Sequence, residues 1–240
     1  DKYIKPISNM GIWQDTHLKI KGAAVVSLHK VFIKDYYFAS KEDILINKKY
    51  LPQQENHGKS IVQIVASGPD SDYAAIMQQY IMLINIAEDN ICITNPYFIP
   101  SSSVLNALKI AALSGVKVHI LLPEQSDSIT AKYSMRSYFE EVMEAGVKIY
   151  LNKDVFLHSK LVLIDNEILS IGSGNFDNRS FDHNFETNVV IYDKELAGTI
   201  YKKFENDCES SKRLYLEQYI ERPIQDKFLE GLARFFSPLL

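Results

Sequence analysis

The sequence is poor in cysteine, in long apolar runs and in excess positive charge, and each shortage excludes a class of protein. Its two cysteines, Cys92 and Cys208, are too few for a disulfide framework and lack the spacing of metal ligands. No apolar run approaches the ~20 residues that a membrane-spanning helix requires. The net charge of -4 and the pI of 5.9 exclude binding of nucleic acid or of an anionic bilayer by overall charge alone. We therefore expect a soluble, reduced chain in which any anionic substrate meets a local basic site.

Strand and helix patterns alternate from residue 60 onward, in a chain whose 46% hydrophobic content is enough for one large core or two small ones. The predicted strands are residues 61–66, 90–94, 117–122, 148–151, 160–164, 167–171 and 186–191. The predicted helices are residues 71–87, 101–114, 131–145 and 194–208, with a further helical stretch near 214–236. This alternation predicts an α/β fold, an α-β-α sandwich in which helices cover a largely parallel sheet.

Two segments resemble each other, residues 13–20 and 184–191, in each of which an acidic-Thr pair enters a predicted strand. A helical stretch follows each segment and ends alike, with Phe and Asp spaced i, i+3. This similarity favours an internal duplication whose first copy lacks its front end. We therefore predict the end of an N-terminal lobe at residues 1–40, a polar linker at 41–60 and a C-terminal lobe at 61–240.

The candidate chemistry is concentrated between residues 157 and 175. On a strand, His158 and Lys160 project to the same face, which places a base beside a cation, while Ser159 points away. After a hairpin at residues 165–166 the chain returns to Ser173 and Asn175, where flanking glycines let polar donors approach an anion. Phosphoryl or phosphatidyl transfer requires this combination of groups. His-x-Lys alone is more often a buried histidine beside a surface lysine, and only the longer spacing makes the site specific.

That spacing resembles the signature of the phospholipase D superfamily, which is His-x-Lys, four residues, Asp, six residues, and Gly-Ser-x-Asn. The match includes His158, Lys160, Asp165, Ser173 and Asn175. The resemblance implies a phospholipase D-like fold and a metal-free, cofactor-free reaction. In this superfamily two such motifs meet, one histidine forms a phosphohistidine, and the other protonates the leaving alcohol.

Within the superfamily the chain is most similar to bacterial cardiolipin synthases, over nearly its whole length. The matching stretches are residues 13–17, 95–100, 121–127, 174–180, 184–186 and 237–240. The resemblance implies a phosphatidyltransferase that joins two phosphatidylglycerol molecules at the cytoplasmic side of the bacterial cell membrane. It also implies that His158 is the general acid, and that transmembrane helices precede these residues in the parent protein.

The sequence departs from the family pattern in containing one motif. His29 is followed directly by Lys30, and His17-Leu18-Lys19 has no Asp at the required spacing. We therefore expect half of an active site, completed by an N-terminal half or by a second copy of the chain.

Supporting roles are predicted for several residues, each with a structural alternative. In the family, an acidic residue at the position of Glu186 orients the histidine. We therefore expect Glu186 to orient His158 and Asp15 to orient the histidine of the missing motif. The alternative for either carboxylate is a solvated position at the end of a strand. Arg179 is expected to bind phosphate or to pair with a neighbouring Asp. Tyr97 is expected to line a substrate channel or to be core material, with weaker grounds for Ser126, Asp127 and Tyr133 at the same pocket. Asp165 is expected to be mainly structural, although it belongs to the motif.

Three functions remain open at this stage. The first is the phosphatidyltransferase, which acts on phospholipid at a membrane surface. The second is another phosphodiesterase on the same scaffold, either a lipid hydrolase or a nuclease, although the acidic balance argues against nucleic acid as a partner. The third is a non-catalytic half-domain.

Overall fold

The computed structural model describes residues 11–42, 55 and 57–239. The strands are β1 (Ile12–Gln14), β2 (Ile61–Ser67), β3 (Asn90–Thr94), β4 (Phe98–Ile99), β5 (Lys117–Pro123), β6 (Lys148–Asn152), β7 (Val155–Leu157), β8 (Leu161–Ile164), β9 (Ile168–Gly172), β10 (Phe176–Asp177), β11 (Glu186–Tyr192) and β12 (Lys212–Arg213). The helices are α1 (Ala24–Ser40), α2 (Ala75–Asn85), α3 (Ser102–Leu113), α4 (Ile129–Arg136), α5 (Phe139–Glu144), α6 (Asn178–Asp182), α7 (Lys194–Glu209), α8 (Leu216–Ile220) and α9 (Ile224–Phe235), followed by a 3-10 turn at Ser237–Leu239.

An eight-stranded sheet has the order β12-β6-β5-β3-β8-β9-β11-β2. The prediction of a largely parallel sheet is wrong, because parallel pairing in this sheet is restricted to β3 with β5 and β5 with β6. The chain enters β9 through a two-residue turn at Asp165 and Asn166, both with positive φ, rather than through a crossover helix. Such a turn makes its two strands antiparallel.

Helices cover both faces of the sheet, which confirms the predicted α-β-α sandwich. Successive side chains on a strand point to opposite faces. On β3, Ile91 and Ile93 therefore join a core beneath α2, α3 and α5, whereas Cys92 faces the layer that contains α7. Cys92 and Cys208 are both buried and free.

Two predicted helices are each divided in the structure. The stretch 131–145 consists of α4 and α5, separated at Ser137 and Tyr138, where the Ser137 hydroxyl donates to the Ser134 carbonyl at 2.6 Å. A hydroxyl bonded back to the preceding turn competes with the helix. The stretch 214–236 consists of α8 and α9, because Pro223 cannot continue a helix.

The first repeat differs from the second in structure. Residues 15–21 are not in a strand, whereas the corresponding β11 is bonded along both edges, to β9 and β2. Instead β1 lies just before this segment and pairs in parallel with β7. The strand predicted to follow Asp15 and Thr16 is therefore wrong. Most of the predicted linker, residues 43–54 and 56, lies outside the described residues, so the domain boundaries stay a prediction.

Candidate active site

The pairing of β1 with β7 positions His158. Gln14 is opposite Leu157, and one residue later the His158 amide donates to the Gln14 carbonyl at 2.8 Å. Asp15 and His158 consequently leave the ends of two adjacent strands side by side. His158 and Lys160 lie in the connection from β7 to β8, not within a strand, because β8 begins at Leu161.

Asp15 and Trp13 orient the His158 ring. The Asp15 Oδ2 is 3.1 Å from the His158 Nδ1, and it also accepts a hydrogen bond from the Trp13 Nε1 at 3.2 Å. The Trp13 and His158 rings lie with their centroids 4.6 Å apart. With Nδ1 donating its hydrogen to Asp15, the reactive nitrogen is Nε2.

Lys160 lies against that nitrogen. Its Nζ is 2.9 Å from the His158 Nε2 and donates to the His158 carbonyl at 2.5 Å. Lys160 is buried, and burial lowers its pKa to about 8, partly offset by the negative charges of Asp15, Glu186 and Asp177. An ammonium group held in this way is a fixed cation for a phosphate oxygen.

The pKa of His158 is set by opposing effects. Burial, and then the charge of Lys160, lowers it below its ordinary value, whereas the hydrogen bond and charge of Asp15 raise it.

Ser159 turns to the other side, where its hydroxyl oxygen accepts a hydrogen bond from the Thr16 hydroxyl at 2.8 Å.

The structure places the two carboxylates the other way round from the prediction. Asp15, which was expected to serve a missing motif, contacts His158. Among the described residues, Glu186 instead accepts a hydrogen bond from Asn184 at 3.2 Å. Glu186 is buried, and that burial raises its pKa.

The glycine turn that carries Ser173 and Asn175 is held from behind by buried amides. Asn188 accepts from the Gly174 amide at 3.2 Å and donates to Gln79 at 2.9 Å. The Tyr80 hydroxyl donates to the Gly174 carbonyl at 2.7 Å. These side chains fix the turn without entering the site.

Gly172 is expected to be intolerant of any side chain. A Cβ there would lie 2.0 Å from the Asn188 Oδ1 and 2.4 Å from the Thr187 carbonyl oxygen. Gly172→Ala should therefore lower the free energy of unfolding by about 3 kcal/mol, measured by urea denaturation. Gly198→Ala is the matched control, because a Cβ at this position in α7 meets nothing within 4 Å and should stabilise the helix by roughly 0.5–1 kcal/mol. Equal stability of the two variants would contradict this packing.

Asp165 lies at the far end of β8 from Lys160, roughly 16 Å along the chain at ~3.3 Å per residue. Its carboxylate accepts from the backbone amides of Glu88, Asp89 and Asn90 at 2.9, 2.8 and 2.8 Å. Asp165 therefore holds the hairpin onto the beginning of β3 and does not reach the reactive groups.

Tyr97, Asn175 and Arg179, all predicted to bind substrate, line one cavity of about 320 Å³. Asp127 and Asp177 line it too. Arg179 is exposed at this cavity, and within the described residues it makes no ion pair with Asp177 or Asp182. Ser173 is also exposed, and its hydroxyl oxygen accepts from the Thr187 amide at 3.0 Å.

A family model described as "Cardiolipin synthase, PLD-like domain" matches residues 80–208, which include the motif and Glu186. The chain belongs to this family. It is 39% identical to cardiolipin synthase 2 of Bacillus anthracis, over 100% of this chain and 47% of that protein. It is 40% identical to a cardiolipin synthase of Geobacillus kaustophilus, over 100% of this chain and 48% of that protein. The chain thus spans about half the length of these relatives.

Solved structures show that the fold is that of the phospholipase D superfamily. Nuc of Salmonella typhimurium, described as a phospholipase D family member, aligns with a TM-score of 0.56 and 22% identity, over 65% of this chain and 99% of Nuc. A phosphatidylserine synthase of Haemophilus influenzae aligns with a TM-score of 0.60 and 16% identity, over 75% of this chain and 48% of that protein. At these identities the likeness concerns the fold.

The described residues contain no group of three or more His, Cys, Asp or Glu side chains arranged to hold a metal ion. None of the helices in this part of the chain is both long and apolar enough to span a bilayer.

Proposed function

We propose that this chain supplies half of the active site of a cardiolipin synthase, which transfers a phosphatidyl group from one phosphatidylglycerol to another through a phosphohistidine. The observation that carries the proposal is the arrangement of Asp15, His158 and Lys160. A carboxylate fixes Nδ1, and a buried ammonium lies 2.9 Å from Nε2. These are the groups that move a proton at an alcohol oxygen while a cation holds the phosphate.

The reaction has two steps. A histidine of a second motif attacks phosphorus, the bond from phosphorus to the headgroup glycerol breaks, and His158 gives its proton to the departing oxygen. A hydroxyl of a second phosphatidylglycerol then attacks phosphorus, the P–N bond breaks, and His158 takes the hydroxyl proton. The products are cardiolipin and glycerol.

The second histidine comes from outside this chain, from an upstream half of the protein or from a second copy. Asp15 and Glu186 occupy equivalent positions in the two repeats. Since Asp15 of the first repeat orients His158 of the second, Glu186 of the second repeat is expected to orient the histidine of the first. Each carboxylate would then orient the histidine of the other motif, an arrangement that we call crossed.

A membrane surface is the proposed setting, and α9 supports it. One stripe of this helix, Ile224, Phe228, Leu232 and Phe235, is 51–79% exposed. The opposite side is fastened to the body, for example by Arg234 and Glu141 at 2.7 Å. The helix also packs on α4, whose Ala131 lines the Tyr97 cavity. We propose that it contacts the cytoplasmic face of the bacterial cell membrane.

Removing the stripe should weaken binding to vesicles that contain phosphatidylglycerol. Phe228→Ser with Phe235→Ser is expected to lower the partition coefficient in a sedimentation assay about tenfold per phenylalanine, because each loses part of its ~1.5–3 kcal/mol of apolar transfer. Leu113→Ser on α3, where the side chain is 71% exposed, is the matched control and should bind as the wild type. Equal losses for both variants would refute this contact.

The test of the function is the product formed from labelled phosphatidylglycerol in mixed micelles by the protein that carries the upstream half. Cardiolipin and free glycerol are expected. Phosphatidic acid alone would make the protein a lipid hydrolase, and cleavage of nucleic acid without lipid turnover would make it a nuclease. If no product forms from any of these substrates, the remaining interpretation is a non-catalytic domain.

A further inference from the structure

The cavity that contains Tyr97 combines several hydrogen-bonding groups with two apolar side chains, Ile99 and Ala131. The Tyr97 hydroxyl donates to the Asp127 Oδ1 at 2.7 Å, which leaves the Asp127 Oδ2 and the lone pairs of the phenol oxygen as acceptors. Ser128, Asn175 and Asn184 also line it. The polar groups can hold a hydroxylated headgroup, and Ile99 and Ala131 can face its carbon atoms.

The cavity adjoins the reactive histidine. Asn175 belongs to the motif, and Asp127 is close enough that its charge raises the pKa of His158. Because Asn175 both lines the cavity and belongs to the motif, a group bound between Tyr97 and Asp127 lies next to the glycine turn of the motif.

The volume fits a small polyol. About 320 Å³ corresponds to roughly ten water molecules at ~30 Å³ each, which accommodates a three-carbon alcohol but not a large sugar. The carboxylate and phenol oxygens accept from hydroxyl groups, and the amides of Asn175 and Asn184 both donate and accept.

We propose that Tyr97 and Asp127 form a glycerol subsite that holds the headgroup glycerol first as the leaving group and then as the acceptor alcohol. This rests on the proposed function. In an in-line displacement at phosphorus the leaving oxygen departs opposite the attacking nitrogen, and the acceptor oxygen later enters from that same side. One cavity beside the acid-base histidine thus serves both steps. Its recognition of glycerol explains how one lipid can be both donor and acceptor.

The first experiment measures how the phosphatidyl group is divided between acceptors. The protein with its upstream half is given unlabelled phosphatidylglycerol together with equal concentrations of labelled glycerol and labelled 1-propanol. The labelled phosphatidylglycerol and phosphatidylpropanol that form are then quantified. The wild type should favour glycerol, and Asp127→Asn and Tyr97→Phe should each reduce the glycerol-to-propanol ratio about tenfold, the effect of one lost hydrogen bond to a charged group. Asp182→Asn and Tyr73→Phe, at exposed positions, are the matched controls.

The ratio is independent of the overall rate, because both products arise from the same phosphohistidine. A variant that is only less well folded will lose rate and keep the ratio. An unchanged ratio in both Asp127→Asn and Tyr97→Phe would overturn the subsite.

A second experiment measures binding and does not depend on turnover. Titration of the 240-residue chain with glycerol 1-phosphate and with propyl phosphate, followed by NMR, should show tighter binding of the glycerol ester, and Asp127→Asn should abolish the difference. If the wild-type protein makes no lipid product but the difference in binding is present, the proposed function fails while the subsite stands. Equal binding of the two esters by the wild type would overturn the subsite itself.

Discussion

Replacing His158 with Ala is expected to reduce cardiolipin formation by about 10⁴-fold or more, the scale of removing a central acid-base group from a catalytic triad. Without Nε2 the departing glycerol oxygen has no proton donor, and Lys160 loses the partner 2.9 Å from its Nζ. The measurement is the initial rate on labelled phosphatidylglycerol with the protein that contains both motifs.

Folding should be nearly unchanged in this variant, because the His158 side chain is 30% exposed and lies at the rim of the structure. His183→Ala is the matched control, since this exposed histidine follows α6 and contacts none of the groups assigned to the reaction. Retention of more than about a tenth of the wild-type rate by His158→Ala would remove His158 from the chemistry.

Asp15→Asn is expected to have the next largest effect, a loss of roughly 10²–10⁴-fold in transfer, because an amide stabilises neither the correct tautomer nor the imidazolium form. The pKa of His158 in the free protein should also fall. Asp15 raises this pKa against burial and Lys160, so its removal leaves the two lowering effects opposed only by the weaker influence of Asp127.

The pH dependence of transfer should follow the protonation of His158. A general acid acts in its protonated form, so transfer falls as the pH rises through the pKa of His158. Asp15→Asn should move that falling limb to lower pH, whereas Lys160→Met, which removes a nearby positive charge, should move the His158 titration to higher pH. Both shifts can be followed by NMR on the 240-residue chain, with His158→Ala identifying the resonance among the six histidines.

Glu186→Gln distinguishes the crossed arrangement, in which Asp15 orients His158, from the alternative in which Glu186 orients His158. It should lower transfer in the protein with both motifs yet leave the His158 titration close to wild type, because the Glu186 carboxylate is hydrogen-bonded to Asn184 and His158 to Asp15. If Glu186→Gln, and not Asp15→Asn, displaced the His158 titration, the carboxylates would not be crossed.

The part of the site that could be predicted from sequence lies within one hairpin. His158, Lys160, Ser173 and Asn175 are brought close by two short strands and a two-residue turn, so their spacing along the chain determines their geometry. Asp165 also followed from this local pattern, since a turn position with positive φ favours Asp.

The partner of His158 could not be predicted in the same way. Asp15 is 143 residues away, and the contact depends on the three-residue pairing of β1 with β7, which is too short for any alternation pattern to reveal. Family resemblance assigned Glu186 to His158, and repeat symmetry assigned Asp15 to the missing motif. The register of β1 with β7 instead places Asp15 at His158. Asn188 and Gln79 were missed because a buried amide in a strand or helix has no sequence signal of its own.

The errors in the fold have similar causes. Alternating strands and helices indicated a parallel sheet, and the pattern held for β3, β5 and β6. The remaining pairs are antiparallel, because the chain reverses in the hairpin from β8 to β9 and because β2, β11 and β12 pair antiparallel to their neighbours. Helix periodicity continued across the α4–α5 boundary, where a serine hydroxyl bonded to the backbone ends the first helix. Local hydrogen bonds of this kind override an amphipathic pattern.

The central claim is that this chain contains half of a two-histidine site. It is tested most directly by comparing cardiolipin formation by the 240-residue chain with that by the same chain extended through its upstream half, at equal concentration and over a range of dilutions. Turnover is expected in the extended protein. The short chain should show either none or turnover that falls more steeply than its concentration on dilution, as expected if two copies must pair. Turnover by the short chain that stays proportional to its concentration down to high dilution would contradict the claim, because a single copy would then be sufficient for catalysis.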